Sequence, residues 1–359
     1  MVGGAGEKPQ RRDSRAPDMT TIGTHSGAFQ ADEALGVWLL RQLPQYANAT
    51  LVRSRDPEKL APLTIVIDVA GVYDHEKLRY DHHQRGFFET FDGKPGAATG
   101  PENATGVYKT KLSASGLVYK HYGRDILAAL HPALRDKPEE LEWVYQRLYK
   151  EFMEGLDAND NGIEISDSVK YKEGTTLPLR VARLNERWNV PKGGPTEDER
   201  FEKASALCGA EFADNLDYFV NCELPARALV EGALKARFTT HPSGQILVFS
   251  TGGCPWKTHL YELERVHGVD ALVKFVLYQD SSGMWRVQAV TAEGTAFTNR
   301  LGLLEAWRGL RDDALTAAAG IDGCKFVHAT GFIGGNATYE GALAMAAKTM
   351  EQQPTATVS

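Results

Sequence analysis

Short apolar runs alternate with amphipathic stretches from Met19 onward. The runs are rich in β-branched residues, and the stretches between them repeat apolar residues every three to four positions, the spacing of one helix face. Continuous Val/Ile runs between amphipathic helices are typical of a parallel sheet that is covered on both faces. The pattern therefore predicts an α/β domain that begins with the strand TTIG, the helix DEALGVWLLRQL, and the strands ATLVRSR and TIVIDVAGV.

The pattern changes at two points further along the chain. Residues 92–107 are rich in Gly, Ala, Pro and Thr and predict a loop, which helices at 115–122 and 138–156 follow. Residues 189–199 combine Pro, Gly and charge and predict a domain boundary, with a helical connector at about 200–238. The remaining predicted elements are the strands QILVFS, ALVKFVLY, WRVQAV and KFVH, a helix at 307–319 and a last helix at 339–350.

These elements predict two folded domains after a polar tail. Residues 1–18 contain no apolar stretch that resembles a signal peptide, and we expect them to be disordered. The first domain, 19–190, is predicted to be α/β with a largely parallel sheet, and the second, 197–351, to be a smaller mixed α/β domain. No apolar run approaches the roughly 20 residues that cross a bilayer. We therefore expect an intracellular protein that is not secreted.

The charge balance bears on the partners of the protein. The 359 residues include 40 Lys and Arg against 47 Asp and Glu, which gives a formal net charge of −7. Binding of nucleic acid through bulk positive charge depends on Lys and Arg that neutralise phosphates, so the composition argues against it. Any phosphate-bearing substrate would need cations concentrated at one site. The four cysteines are too far apart for a zinc knuckle and too few for a disulfide scaffold.

Residues that commonly bind metals gather at the ends of the predicted strands of the first domain. His25 and Asp32 lie between the first strand and its helix, Asp68 closes the TIVID strand, and Asp81–His83 form an Asp-His-His triplet. Ligands of an open parallel sheet bind where the carboxyl ends of its strands meet. Imidazole and carboxylate together suit Mn, Zn or Fe. A fourth candidate segment, rich in carboxylate and amide, is 155–162.

Each of these segments also has an ordinary structural reading. A lone His25 in a loop is more often a surface or capping residue, and Asp32 at a helix start fits a cap, because carboxylates there accept hydrogen bonds from free N–H groups. Asp68 is harder to explain in this way, since a carboxylate that follows an apolar strand must be solvated or paired. The DNDNG sequence suggests a calcium loop, but it lacks the EF-hand spacing and the closing Glu.

The ordered set of segments resembles a known family. An Asp-His-His triplet after a strand Asp, with an upstream His/Asp loop, is similar to the DHH phosphoesterase superfamily. The closer similarity is to its eukaryotic melanocyte-proliferating-gene branch, described as 3′-to-5′ RNA exonucleases. It extends from about Thr21 to Thr349, and the segments that carry it include THSGAFQADEAL, YDHHQRGFFETF, YKTKLSASGLVYKHYG, LDANDNGI, GGCPWKTHLYELE and FVHATGFIGG. The resemblance implies a DHH-type first domain and a smaller substrate domain.

This resemblance implies a pair of divalent cations, usually Mn²⁺, with Mg²⁺ as the alternative. His25 and Asp68 would serve the first cation. Asp32, His82 and Asp157 would hold the second, and Asp68 would bridge the two. Two such cations generate a hydroxide at neutral pH and stabilise both the attacking and the leaving oxygen of an in-line displacement.

Further roles around the cations follow from the same resemblance. Asp81 would orient His82, and His83 would hydrogen-bond the scissile phosphate, so that Asp68, Asp81 and His83 form the catalytic group. Local cations would hold phosphate on an otherwise acidic protein. The side chains expected to supply this positive charge are Arg85, Lys111 and Arg55.

One position departs from the family pattern. The family usually has His where this sequence has Gln30, and a neutral amide is a weaker ligand than imidazole for Mn or Zn. Three outcomes remain open from the sequence: a weaker first metal site, a water that fills the position, or an inactive variant that was made to trap substrate.

In the second domain, the resemblance implies a glycine-rich loop that binds the substrate. Its counterpart is 327–336, VHATGFIGGN, before the last helix. Gly334 and Gly335 would let backbone N–H groups approach a phosphate, and His328 would contact the substrate. The alternative is a tight strand-to-helix turn, with His328 as an ordinary core or surface residue.

The leading hypothesis is a metal-dependent 3′-to-5′ exonuclease that acts on single-stranded RNA. A second enzymatic hypothesis is hydrolysis of short nucleotides or polyphosphate. A third, which Gln30 favours, is a catalytically impaired RNA-binding protein. The expected partner is single-stranded RNA or a nucleotide and not a membrane, and the oligomeric state stays open, a homodimer included. The resemblance implies the mitochondrion or the nucleus, and the cytoplasm is also compatible.

Overall fold

The computed structural model describes four ranges of the chain, 20–94, 100–168, 170–189 and 193–352. The chain divides into two compact units between Leu216 and Asp217. The tail expected at 1–18 lies outside the described residues, as do parts of the predicted loop and of the predicted boundary, at 95–99 and 190–192.

The first unit contains a five-stranded mixed sheet with the order β2-β1-β3-β5-β4. Strand β1 pairs in parallel with β2 and β3, β3 pairs in parallel with β5, and β4 pairs antiparallel with β5. The prediction of a largely parallel sheet is therefore right except for the β4–β5 hairpin. The strands are β1 (Thr21–Thr24), β2 (Thr50–Arg53), β3 (Ile65–Ile67), β4 (Tyr73–Asp74) and β5 (Arg79–Tyr80).

Helices of the first unit pack around this sheet. Strand β3 is buried along its whole length, as expected for a Val/Ile run that is covered on both faces. Helix α1 packs against α3, and Trp38 of α1 contacts Phe212 of α7 with ring centroids 5.7 Å apart. The helices are α1 (Ala31–Arg41), α2 (Pro57–Leu60), α3 (Ala114–Leu130), α4 (Pro138–Leu148), α5 (Glu154–Asp160), α6 (Leu177–Ala182) and α7 (Glu197–Tyr218).

The second unit contains another five-stranded mixed sheet, with the order β6-β7-β8-β10-β9. Only the β6–β7 pair is parallel among the described strands of this sheet. The elements are β6 (Ile246–Phe249), β7 (Phe275–Gln279), β8 (Trp285–Ala289), β9 (Cys324–Val327), β10 (Ile333–Asn336), α8 (Leu224–Lys235), α9 (Arg237–Thr240), α10 (Lys257–Val266), α11 (Asp312–Ala319) and α12 (Tyr339–Gln352).

Two apolar clusters cover opposite faces of the second sheet. One contains side chains of α11 and α12, such as Leu315 and Met345, packed with Leu277 of β7. The other contains side chains of α8 and α10 with the neighbouring Val276. Because successive side chains of a strand point to opposite faces, Val276 and Leu277 divide between the two clusters.

The structure corrects several element predictions in the second unit. The helix predicted at 307–319 begins only at Asp312. A 3₁₀ turn at Glu305–Trp307 comes first, and Gly309, with a positive φ of 78°, interrupts the helical conformation between the two. Helix α10 was not predicted. Residues Ile333–Asn336, expected to lie in a glycine-rich loop, instead form strand β10.

Among the described residues, no helix has both the length and the hydrophobicity needed to span a bilayer.

Candidate metal centre

The loop after β1 and the end of β3 place an imidazole between two carboxylates. His25 Nε2 lies 3.0 Å from Glu33 Oε1 and 3.4 Å from Asp68 Oδ2. All three residues are buried, and their potential ligand atoms lie within 4.8 Å of one another. They form a group with the chemistry of a transition-metal site.

A second group lies on the other side of Asp68. His82 Nε2 is 3.3 Å from Asp68 Oδ1 and 3.0 Å from Asp160 Oδ2. Asp32, His82 and Asp160 bring ligand atoms within 4.8 Å of one another, and Asp68, His82 and His83 do the same. Asp68 therefore directs one oxygen to His25 and the other to His82, which is the arrangement of a bridging carboxylate.

Several polar atoms at the centre of these groups have no hydrogen-bond partner. They are buried, and each lies beside another potential ligand without hydrogen-bond geometry. A divalent cation would satisfy such converging lone pairs, and the donor set of imidazole and carboxylate suits Mn²⁺ or Zn²⁺. The residues present therefore fit a metal ion. The atoms are Asp68 Oδ1, His82 Nε2 and Asp160 Oδ2.

The pKa values reflect the concentration of charge. Burial alone would raise the pKa of Asp68, but the neighbouring imidazoles of His25 and His82 lower it below its usual value. Burial opposes protonation of both imidazoles, yet the carboxylates beside them raise the pKa of His25 and of His82 to about 10.

The first turn of α3 positions Asp32. Its carboxylate accepts hydrogen bonds from the backbone N–H groups of Ala114, at 3.0 Å, and Ser115, at 2.7 Å, and from the Ser113 hydroxyl. These N–H groups have no partner within the helix, so a carboxylate is favoured there. Burial, followed by the nearby charges of Asp160 and Asp68, raises the pKa of Asp32 well above its usual value.

Asp157, expected to bind the second cation, is not in the three groups of potential ligands, although its Oδ1 lies 2.7 Å from the Ser113 hydroxyl that also contacts Asp32. It is fully buried, and it accepts hydrogen bonds from the Ser113 N–H at 2.9 Å and the Tyr149 hydroxyl at 2.9 Å. Burial raises the pKa of its carboxyl group to about 7. Asp160, one helical turn further along α5, is the residue whose carboxylate faces His82.

The Asp-His-His triplet orients its second histidine. Asp81 Oδ1 accepts from the His83 ring at 2.8 Å and from the backbone N–H of His82, and Oδ2 accepts from the Gly71 N–H at 2.5 Å. Asp81 therefore holds the ring of His83 as well as the backbone of His82, the residue that the family resemblance implies it orients. With 61% of its side chain exposed, His83 can reach a ligand from solvent.

Asp68 also has an unusual backbone. Its φ is 56°, in the left-handed region that Asn and Asp tolerate better than other non-glycine residues. The backbone N–H of Asp68 donates to the Tyr80 carbonyl at 3.0 Å. The turn after β3 thus places this carboxylate toward both imidazoles at the cost of backbone strain.

The three basic side chains that were predicted to hold phosphate have different surroundings. Arg55 is exposed and lies beside the first metal group, with Nε donating to the Ser26 carbonyl and Nη2 3.1 Å from His25 Nδ1. Lys111 is half-buried and donates to the His82 carbonyl at 3.1 Å, and burial lowers its pKa. Arg85 is exposed, two residues after His83.

Gln30 is exposed at the N-cap of α1. Its backbone N–H donates to Glu33 Oε1 at 2.9 Å and to Oε2 at 3.1 Å. Glu33, not residue 30, completes the group with His25 and Asp68. The first group therefore has three protein ligands without a histidine at position 30.

Side chains outside the metal groups hold the loop between β1 and α1. The Asn185 amide accepts from the Phe29 N–H at 2.9 Å and donates to the Phe29 carbonyl at 2.8 Å. Arg53, with 1% of its side chain exposed, donates to the Gly27 carbonyl and pairs with Glu197 at 2.7 Å. A cavity of about 310 Å³ adjoins this loop.

The residues predicted to bind substrate in the second unit lie on a hairpin. His328 is exposed in the turn between β9 and β10, where its Nδ1 is 3.0 Å from Thr330 Oγ1. Gly334 and Gly335 are buried within β10, between β8 and β9. These glycines allow close packing inside a sheet, whereas the sequence suggested a phosphate-binding loop.

Sequence reasoning missed Glu33 and Asp160. Glu33 follows Asp32 in the first turn of a helix, where an acidic residue is common for reasons of capping alone. Asp160 lies three residues after Asp157, on the same helix face. The presence of two carboxylates at that spacing was the available signal, but the sequence does not show which of the two contacts His82.

The chain matches one family model and several individual proteins. The family model MYG1_exonuc, described as "Uncharacterised protein family (UPF0160)", matches residues 21–350. A Bos taurus protein named MYG1 exonuclease is 48% identical over 342 residues, which cover 94% of this chain and 86% of the relative. The Homo sapiens MYG1 exonuclease is 46% identical, covering 96% and 89%. The Dictyostelium discoideum MYG1 protein is 46% identical, covering 93% and 97%.

Proposed function

This chain belongs to the MYG1 exonuclease family, and we propose that it is a metal-dependent exonuclease that removes nucleotides from the 3′ end of single-stranded RNA. The observation that carries the proposal is the pair of ligand groups that share Asp68. The names of the relatives support exonuclease activity, and the family resemblance adds the RNA substrate and the direction.

Two groups of residues would hold the cations in this proposal. His25, Glu33 and Asp68 would hold one, and Asp32, His82 and Asp160 would hold the other. Asp68 Oδ1 lies 3.3 Å from His82 Nε2, so Asp68 would connect the two groups. Bound divalent cations would supply a hydroxide at neutral pH and stabilise negative charge on the phosphate. Mn²⁺ is the cation that we expect, and Mg²⁺ is the alternative.

The chain's own side chains would bind and orient the phosphate. Asp81 accepts from His83 Nδ1 and fixes the ring, and the imidazolium form of His83 would donate from its other ring nitrogen to a phosphate oxygen. Arg55 and Arg85 are exposed beside the ligand residues and would attract the anionic strand. Lys111 lies against the His82 carbonyl and adds positive charge near the second group.

A 3′-labelled oligoribonucleotide tests the proposal. We expect Mn²⁺-dependent release of labelled nucleoside monophosphate, and we expect Asp68→Asn and His82→Ala to reduce its rate at least about 100-fold. Asn is preferred to Ala at position 68 because the backbone there has a positive φ. The matched control is Asp125→Asn, which removes an exposed carboxylate from α3 outside the ligand groups.

Three outcomes would contradict the proposal. One is a rate that does not respond to Mn²⁺ or to chelation. Another is equal activity of Asp68→Asn and the Asp125→Asn control. The third is a 5′-labelled strand that loses its label first, which would reverse the direction.

A further inference from the structure

The second unit contains a cavity of about 300 Å³ that no residue of the metal groups lines. It lies at the side of the sheet where β8, β9 and the start of α11 meet. Its volume is at the small end of the range for ligand pockets, which suits one small ligand. The lining residues are Met284, Arg286, Arg311, Asp312, Lys325 and Phe326.

Four residues of this region form one row across the strands. Arg286 of β8 pairs with Gly335 of β10, Gly335 pairs with Phe326 of β9, and Phe326 forms a bridge with Arg311. Residues directly opposite in neighbouring strands share a face of the sheet. The guanidinium carbons of Arg286 and Arg311 lie 5.0 and 5.8 Å from the centre of the Phe326 ring.

Gly335 leaves the space that Arg286 and Phe326 occupy. A Cβ atom at position 335 would lie 2.8 Å from Arg286 Nη1 and 2.9 Å from Phe326 Cε1. Both distances are shorter than real Cβ contacts. Any larger residue would force the guanidinium or the ring to move, so the glycine allows the cation to lie over the strand.

A β-bulge brings a third positively charged side chain, that of Lys325, into the same cavity. The register between β9 and β10 shifts at Gly335 and Asn336, so that Gly335 pairs with Phe326 while Asn336 pairs with Cys324. Lys325 is the extra residue. A bulge redirects side chains from strict alternation, and here Lys325 and Phe326 line one cavity together.

Two of these three basic side chains have no acidic partner among the described residues of the second unit. Arg286 pairs with Asp280, but within 193–352 no acidic side chain forms an ion pair with Arg311 or Lys325. Asp312 contributes the single negative charge of the lining. Concentrated positive charge is notable in a chain whose net charge is −7.

We propose that this cavity binds the phosphate group of a single nucleotide, through Arg311 and Lys325, with Arg286 at its base. Guanidinium forks and an ammonium group are the donors that suit phosphate oxygens. The nucleotide has two sources, a free mononucleotide or a unit of an RNA strand. The RNA source rests on the proposed function, and the phosphate chemistry does not.

Binding measurements on the full chain test this inference in the presence of EDTA, which prevents metal-dependent cleavage. The probes are inorganic phosphate, AMP and a short fluorescent oligoribonucleotide. We expect Arg311→Gln and Lys325→Gln each to weaken AMP or RNA binding about tenfold or more. For the RNA, each lost phosphate contact lowers the slope of log affinity against log salt by about 0.7.

The matched control is Arg265→Gln, which removes one positive charge from an exposed ion pair with Glu293 in the same unit. Arg265 does not line the cavity. Thermal unfolding of every variant separates lost binding from lost folding. Equal binding of all three probes by the two cavity variants and the control would overturn the inference.

The probes distinguish the two sources of phosphate. A loss confined to RNA assigns the cavity to a strand, and a loss confined to AMP and phosphate assigns it to a free nucleotide; both support the inference. The RNA hydrolysis experiment is separate. If hydrolysis fails while binding depends on Arg311 and Lys325, the proposed function falls and this inference stands, and the opposite pattern has the opposite meaning.

Discussion

Single residues decide which carboxylates can hold a cation. Of the residues that the sequence singled out as ligands, His25, Asp32, Asp68 and His82 lie in the metal groups. The positions of His25, Asp68 and His82 just after strands made this predictable for those three, because the carboxyl ends of parallel strands meet. The direction of individual side chains was not predictable, and Asp157 and Asp160 illustrate the difference.

Paired substitutions test that difference. Asp160→Asn keeps the shape of the side chain but removes a charge that faces His82, so we expect Mn²⁺ affinity to fall at least about tenfold. Asp157→Asn changes a buried acceptor of the Ser113 and Tyr149 hydrogen bonds, and we expect it to lower the free energy of unfolding by about 1–3 kcal/mol with little change in affinity. Mn²⁺ titration and urea unfolding measure both quantities. The reverse pattern would return Asp157 to the ligand set.

Position 30 allows a second test at this scale. Gln30 is exposed, and Glu33 already completes the group around His25. We therefore expect Gln30→His to change the turnover number for RNA by less than about tenfold. Gln30→Ala is the matched control, because it removes the amide without adding an imidazole. A rise of several orders of magnitude with His alone would show that the site lacks a ligand in this chain.

At the scale of elements, strong apolar patterns were predicted well and weak ones were not. The runs that became β1, β3 and β6 carry enough β-branched residues to be recognised. Strands β4 and β5 contain two residues each, too few to show a period. Strand β10 contains two glycines, which favoured a loop because a glycine has no side chain to pack. The close approach of Phe326 and Arg286 to Gly335, and of Leu303 to Gly334, is visible only in three dimensions.

The loop between β1 and α1 carries a prediction of its own. Asn185→Ala removes two hydrogen bonds to the Phe29 backbone, so we expect the free energy of unfolding to fall by about 1–2 kcal/mol. Because the same loop carries His25, we also expect weaker Mn²⁺ binding. Asn221→Ala, which removes an exposed bond to Asp217, is the control for denaturant unfolding and Mn²⁺ titration. Unchanged Mn²⁺ affinity would limit Asn185 to a structural role.

At the scale of the whole molecule, a boundary was predicted from composition at 189–199, and the contacts divide the chain after Leu216. Helix α7 explains the difference in position. Its first turn pairs with Arg53 and its later turns contact Trp38, so most of the helix belongs to the first unit. A change of composition marks where an element begins, but it does not tell which neighbour the element packs against.

Cation binding should also be visible in the stability of the whole molecule. A ligand that binds only the folded chain stabilises it by about 2.7 kcal/mol at 100 times its Kd. We expect Mn²⁺ to raise the midpoint of urea unfolding accordingly, EDTA to reverse the effect, and Asp68→Asn to remove most of it. Asp125→Asn should respond as the unsubstituted protein does. An equal increase in Asp68→Asn would place the stabilising cation elsewhere.

Glu33 has two neighbours that connect local order with chemistry. Its carboxylate accepts from the Gln30 N–H and lies 3.0 Å from His25 Nε2. A cation that draws this carboxylate toward itself competes with the hydrogen bond that starts α1. Solvent exchange of the Gln30 amide proton therefore becomes a local gauge of occupancy, which can be read by NMR before any substrate is added.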